Sequence, residues 1–125
     1  MKSPQAPRQL VLVVDDDPAT REVLCSILEM KGLFTAGAAS VAEGIKMLTM
    51  RPAFIALDLH LPDGLGTIIL QHVRQRGLPI SVAIATAADD SEFLARVAAM
   101  RPDRILRKPY ALEDLMEWIN ASRAA

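Results

Sequence analysis

Apolar residues in this chain follow two rhythms that alternate along its length. Continuous runs stand at 11–14 (Val-Leu-Val-Val), 54–57 (Phe-Ile-Ala-Leu) and 82–85 (Val-Ala-Ile-Ala), with a shorter one at Ile105-Leu106 and a weaker one across 33–38. Unbroken runs of this kind fit strands covered on both faces. Between them the apolar positions fall at helical spacing: Val23, Leu24, Ile27 and Leu28, then Val41, Ile45 and Leu48, then Ile68, Ile69 and Val73, and finally Leu112, Leu115, Met116 and Ile119. A further helix is expected from about Ser91 to Met100.

The residues at the joins agree with this division. Asp17-Pro18 supplies a cap and a proline at the first helical position, and Gly32 stands past the end of that helix. Ser40 and Glu43 have the spacing of a capping box, and Arg51-Pro52 stops the helix it opens. The turn from Pro62 to Gly66 leads into the third helix, which Gly77 closes. Five strands thus alternate with five helices. Crossovers of this length join parallel neighbours with a right-handed connection, so the expected fold is a doubly wound α/β sheet of five parallel strands, flavodoxin-like, in the order 2-1-3-4-5.

Such sheets collect functional groups outside the carboxyl ends of their strands, at the point where strand order reverses. The first strand here runs into Asp15-Asp16-Asp17, the third into Asp58, the fourth into Thr86 and the fifth into Lys108-Pro109. Asp15, Asp16 and Asp58 are expected to meet, and crowded carboxylates repel unless a cation sits among them. A hard divalent ion, Mg²⁺ or Mn²⁺, suits oxygen donors that leave room for phosphate oxygens. Phosphoryl transfer needs an in-line nucleophile and neutralisation of the equatorial oxygens. Asp58 can be the nucleophile, Lys108 and the Thr86 hydroxyl can each take one phosphoryl oxygen, and Ala87 is small enough to leave space. A cis peptide at Lys108-Pro109 would help a lysine turn from a strand end into a pocket. Asp17 reads as a solvated helix cap.

In this order and spacing, Val-Val-Asp-Asp-Asp-Pro at 13–18, Leu-Asp-Leu-His-Leu-Pro-Asp-Gly at 57–64, Ala-Thr-Ala at 85–87 and Arg-Lys-Pro-Tyr at 107–110 resemble the receiver domain of bacterial two-component response regulators. The resemblance extends from about Gln9 to Ala121. It implies that Asp58 accepts a phosphoryl group from a phosphohistidine on a sensor histidine kinase or phosphotransfer protein. Asp15, Asp16, Asp58 and the backbone carbonyl of His60 would hold the metal, and Thr86 and Lys108 would read the aspartyl phosphate. The domain would then switch an output partner or an attached effector domain, assisting its own phosphorylation without acting on an external substrate pool. The His60 imidazole, at the pocket mouth, is expected to tune access and dephosphorylation together with Ala88.

Two positions depart from the family pattern. Receivers usually carry Tyr or Phe three residues before the lysine, and this chain has Ile105 there, so the aromatic rotamer switch is missing and displacement of the loop after Thr86 is the expected route for the signal. The segment before the fifth strand is Met100-Arg101-Pro102, and Phe93, Leu94, Val97 and Met100 on the helix before it do not all fit one core stripe. Part of that helix is expected to face a partner, with a homodimer through helix four, strand five and helix five as one possibility. Glu113, Asp114 and Glu117 would face Arg96, Arg104 or Arg107, although the familiar charge pattern is not reproduced.

Composition changes little in this picture. The 125 residues are 51% hydrophobic with a net charge of −1, which suits one domain at about 9–122, a loose leader at 1–8 and a short tail at 123–125. No basic run marks direct nucleic-acid binding, no apolar run reaches membrane-spanning length, and the single Cys25 excludes an intrachain disulfide. A cytoplasmic setting is expected. His72, Cys25, Tyr110 and Trp118 read as surface or packing residues.

Three other readings stand beside the receiver. A receiver that binds partners without being phosphorylated would share every motif. An aspartyl-phosphate phosphatase of the haloacid dehalogenase type would want a second aspartate where His60 stands. A flavodoxin-type carrier would want a Ser/Thr/Gly-rich phosphate loop where three acids stand.

Overall fold

The computed structural model describes residues 9–123, so the expected leader and all but the first residue of the expected tail lie outside the described residues. Five parallel strands form the central sheet: β1 (Leu10–Val14), β2 (Phe34–Ala38), β3 (Phe54–Asp58), β6 (Ser81–Thr86) and β7 (Arg104–Arg107). Their spatial order is β2-β1-β3-β6-β7, the doubly wound order expected for the five main strands. The helices are α1 (Pro18–Met30), α2 (Val41–Met47), α3 (Thr67–Gln75), α4 (Ser91–Ala99) and α5 (Leu112–Arg123). A 3₁₀ turn over Leu48–Met50 finishes α2, where the sequence suggested one continuous helix. The sequence pattern did not reveal a two-residue hairpin, β4 (His60–Leu61) with β5 (Gly64–Leu65), which pairs His60 with Leu65.

Alternation along the strands sorts the apolar side chains into two cores. Leu12, Val14, Ile55, Leu57, Val82 and Ile84 face Ile69 and Val73 of α3 and Val97 of α4. Val11, Val13, Phe54, Ala56, Ala83 and Ala85 face Leu28 of α1 and Leu115, Trp118 and Ile119 of α5. Trp118 packs edge-to-face on Phe54, with ring centroids 5.6 Å apart, and its indole N–H donates to the Ser81 hydroxyl at 2.9 Å. A buried indole is stable only with such an acceptor.

The apolar face expected on α4 is smaller than its sequence implied. Phe93, Val97 and Met100 lie one and two turns apart and pack inward together, so only Leu94 stands outside that cluster. Among the described residues the most exposed large apolar side chains are Val23 and Met30 on α1, Phe34 on β2, Met50 and Ile68, none of them on α4.

The start of α2 is tied to the turn that follows β3. Ser40 accepts from the Glu43 N–H at 3.1 Å and Glu43 reaches back to the Ala39 N–H at 3.0 Å, which realises the capping box. Asp63 takes two of the remaining free donors, accepting from Val41 N–H at 2.8 Å and Ala42 N–H at 3.0 Å. These two backbone bonds hold the Asp63 carboxyl below its usual range. A carboxyl with a lowered folded-state pKa stabilises the fold above its unfolded value and loses that contribution as pH falls through the folded value. Asp63→Ala is expected to lower the melting temperature at pH 7, and the gap from the wild type should shrink as pH falls below about 4, as followed by circular dichroism.

Candidate functional site

Parallel registration brings the strand ends level. Val14 pairs with Leu57, Asp58 with Ala85, and Thr86 with Arg107, so the residues next along these strands emerge at one edge of the sheet. Backbone bonds carry the ladders one step further: Asp15 N–H donates to the Ala38 carbonyl at 3.0 Å, Leu59 N–H to Ala85 at 3.0 Å, and Lys108 N–H to Thr86 at 2.8 Å. The expected residues therefore meet, and each starts from a backbone position fixed by the sheet.

Asp15, Asp16 and Asp58 each offer a carboxylate oxygen, and these atoms all lie within 4.8 Å of one another. Asp15 and Asp58 are buried while Asp16 is exposed, so the cluster opens to solvent on one side. One Asp15 oxygen also accepts from the Asp17 N–H at 2.9 Å, which fixes the turn. Asp17 itself caps α1, accepting from the Thr20 N–H and hydroxyl, as expected for a helix cap. Arg21 adds a contact that the sequence did not reveal, its guanidinium donating to the Asp15 carbonyl at 2.7 Å. Three convergent hard oxygen donors fit a small divalent cation.

Lys108 is ion-paired to Asp58 across this cluster. Burial pushes the Asp58 carboxyl up from its usual value, and the neighbouring Asp15 charge adds to the rise, while the Lys108 ammonium opposes it without cancelling it. Burial pulls the Lys108 ammonium down, but its hydrogen bond to Asp58 and the two carboxylate charges outweigh that, and its pKa is raised. Beside the effect of burial, both shifts carry a contribution from Asp15, a second carboxylate next to the Asp58–Lys108 pair.

Beside Asp58 a small cavity of about 160 Å³ is lined by His60, Thr86, Ala87 and Lys108. The Thr86 hydroxyl accepts from the Ala88 N–H at 3.0 Å, which orients the oxygen and leaves its proton to donate elsewhere. The peptide bond between Lys108 and Pro109 is cis, as the sequence suggested. A second cavity of about 370 Å³ runs beneath the carboxylates towards Tyr110, over the small side chains Ala56, Ala83 and Ala85. Burial raises the pKa of the Tyr110 hydroxyl. Ile105 packs against the core on the α4 side, the same cluster that Phe93 and Met100 pack against.

The loop after Asp58 depends on two glycines. Gly64 has φ of 150°, a region that other residues seldom enter. Gly66 N–H donates to the Leu59 carbonyl at 2.7 Å, and a Cβ there would collide with the Asp58 carbonyl oxygen. The sequence marked both only as turn residues.

A carboxyl with a raised folded-state pKa costs stability as pH rises from its unfolded value through its folded one, and the cost stays at every higher pH. Asp58 is therefore expected to destabilise the metal-free domain at pH 7. Asp58→Asn in a chelator should melt a few degrees higher than the wild type, on the order of 2–5 °C, and Mg²⁺ should stabilise the wild type more than the variant in a thermal melt.

Residues 11–120 match the sequence family described as the response regulator receiver domain. Among curated relatives, the response regulator protein PilR of Pseudomonas aeruginosa is 34% identical over 113 residues, covering 90% of this chain and 25% of PilR. The response regulator MprA of Mycobacterium ulcerans is 34% identical over 113 residues, covering 89% of this chain and 48% of MprA. The chain thus spans from about a quarter to a half of the relatives it matches. A crystal structure of a response regulator receiver protein from Pseudomonas putida superposes with a TM-score of 0.84 at 29% identity, covering 94% of this chain and 99% of that one. With the fold, the strand-end residues and these likenesses in agreement, the chain belongs to the response regulator receiver domain family.

Proposed function

We propose that this domain is a phosphoacceptor switch in which Asp58 takes a phosphoryl group from a phosphohistidine of a sensor kinase or phosphotransfer protein. The observation that carries this reading is the cluster at one sheet edge: a nucleophile-bearing Asp58 beside two further carboxylates, ion-paired to the lone lysine of the site. Asp15, Asp16, Asp58 and the His60 backbone carbonyl are the residues that would hold Mg²⁺ or Mn²⁺. Bound there, the ion would neutralise carboxylate and phosphoryl charge.

The chain's own residues account for the rest of the transfer. An Asp58 carboxylate oxygen forms a bond to phosphorus as the bond from phosphorus to the donor imidazole nitrogen breaks. Lys108, now paired with Asp58, turns its ammonium to a phosphoryl oxygen, a move suited to a point charge on a flexible stem. The Thr86 hydroxyl donates its proton to a second oxygen, and Ala87 leaves the space it occupies open. The backbone bonds that fix Asp58, Thr86 and Lys108 keep these groups in place, which matters in a reaction governed by positioning and charge.

The output is an interaction rather than turnover of a small molecule. Because the chain spans a fraction of its relatives' length, an attached effector domain and a separate partner protein are both compatible with the reading. Incubation with a small phosphodonor such as phosphoramidate and Mg²⁺ should add one phosphoryl group by intact mass, lost in Asp58→Asn and in a chelated control. Thr86→Ala and Lys108→Ala should slow or weaken the gain while leaving the fold intact. Folded wild-type protein that gains no mass from either this donor or a phosphohistidine donor would reduce the domain to an interaction module independent of phosphorylation.

A further inference from the structure

One residue that lines the phosphoryl cavity, His60, is contacted from α4 by an aromatic side chain that the proposed chemistry does not use. His60 lines the cavity, and its imidazole is otherwise exposed. Its ring lies 5.9 Å from that of Phe93, centroid to centroid, with the planes tilted by 34°. Phe93 is half-buried, packs against the core and lies under the Arg96 guanidinium, 5.9 Å from the ring centroid. Small side chains, Ala85, Thr86 and Ala87, make up much of the rest of the lining. Among the described residues only two ring pairs occur, and the other lies in the core on the far side of the sheet.

We propose that Phe93 is a positioning residue: by bracing the His60 imidazole over the mouth of the cavity, it limits the approach of water to phosphorylated Asp58 and so sets the lifetime of the signal. The inference rests on the phosphoacceptor reading above. The step it governs is hydrolysis, in which a water oxygen forms a bond to phosphorus and the bond from phosphorus to the Asp58 oxygen breaks. That step yields inorganic phosphate, the Asp58 carboxylate and a proton. An exposed imidazole has many rotamers, and a flat ring at 5.9 Å removes those that swing it away from the cavity. Ile105 does not compete for this role, because it packs against the core and has no ring to turn. The contact also makes α4 the element through which a bound partner would reach the phosphoryl group.

The test measures phosphoryl lifetime by intact mass after the phosphodonor is removed, in the wild type, Phe93→Ala, Phe93→Leu, His60→Ala and the double variant His60→Ala/Phe93→Ala. Phe93→Ala should shorten the lifetime by at least about threefold, and the effect should vanish in the His60→Ala background, since a contacting pair is non-additive. Phe93→Leu keeps apolar volume without the flat ring, so it should also shorten the lifetime and serves as the test if the alanine variant fails to fold. Equal lifetimes in phosphorylated wild type and folded Phe93 variants would overturn the proposal while sparing the phosphoacceptor reading. An equal shortening with and without the His60 imidazole would overturn it too, by showing that Phe93 does not act through His60. Wild-type protein that takes no phosphoryl group would remove the reading beneath it.

Discussion

The ion pair between Lys108 and Asp58 is the interaction on which the rest of the site depends. Two of the three clustered carboxylates are buried, and a buried carboxylate is tolerated only with a cation or strong donors nearby. Lys108 supplies that cation from the end of β7, two strands away from β3 in the sheet, but one ammonium faces three carboxyl groups, and burial together with the Asp15 charge keeps the pKa of Asp58 raised. The domain therefore keeps a nucleophile under charge imbalance, a state that a divalent ion or a change in the pairing of Lys108 relieves. Stability and reactivity are set by the same few groups.

That imbalance is held in place by backbone geometry. The strands end level because parallel ladders fix their register, and single bonds beyond each ladder fix Asp15, Leu59 and Lys108 as well. The loop after Asp58 is fixed with equal care: Gly66 gives the Asp58 carbonyl room, and Asp63 ties the turn to the first residues of α2. The turn, the helix start and the nucleophile form one connected unit, so a change at any of them reaches the others. His60 belongs to the same loop, and its contact with Phe93 extends the unit to α4.

Much of this was legible along the chain. The continuous runs ending in Asp15, Asp58, Thr86 and Lys108 are strong signals because the covered sheet demands apolar strands and the polar residue that ends each run marks its tip. Cap and stop residues placed the helices to within a residue or two, since Asp17, Ser40 and Gly77 satisfy or end them by local bonding. On α4 the expectation that four apolar residues would not share one stripe holds, though for Leu94 alone. Phe93, Val97 and Met100 share a face because helical spacing of four and three returns to the same side, and only Leu94 leaves it.

What the sequence by itself determined is the set of local choices: which segments extend, which coil, where each begins, and which chemical groups stand at the strand ends. These are decided by periodicity and by bonds between residues a few positions apart. The tertiary structure alone decided the pairing of Lys108 with Asp58, the bond from Arg21 to Asp15, the cap that Asp63 gives to α2 and the tilted ring contact of His60 with Phe93. The Asp63, Lys108 and Phe93 contacts join groups far apart along the chain, and the Arg21 contact depends on how α1 is set against the sheet edge. Their existence depends on the packing of whole elements, and no local pattern of residues encodes that distance.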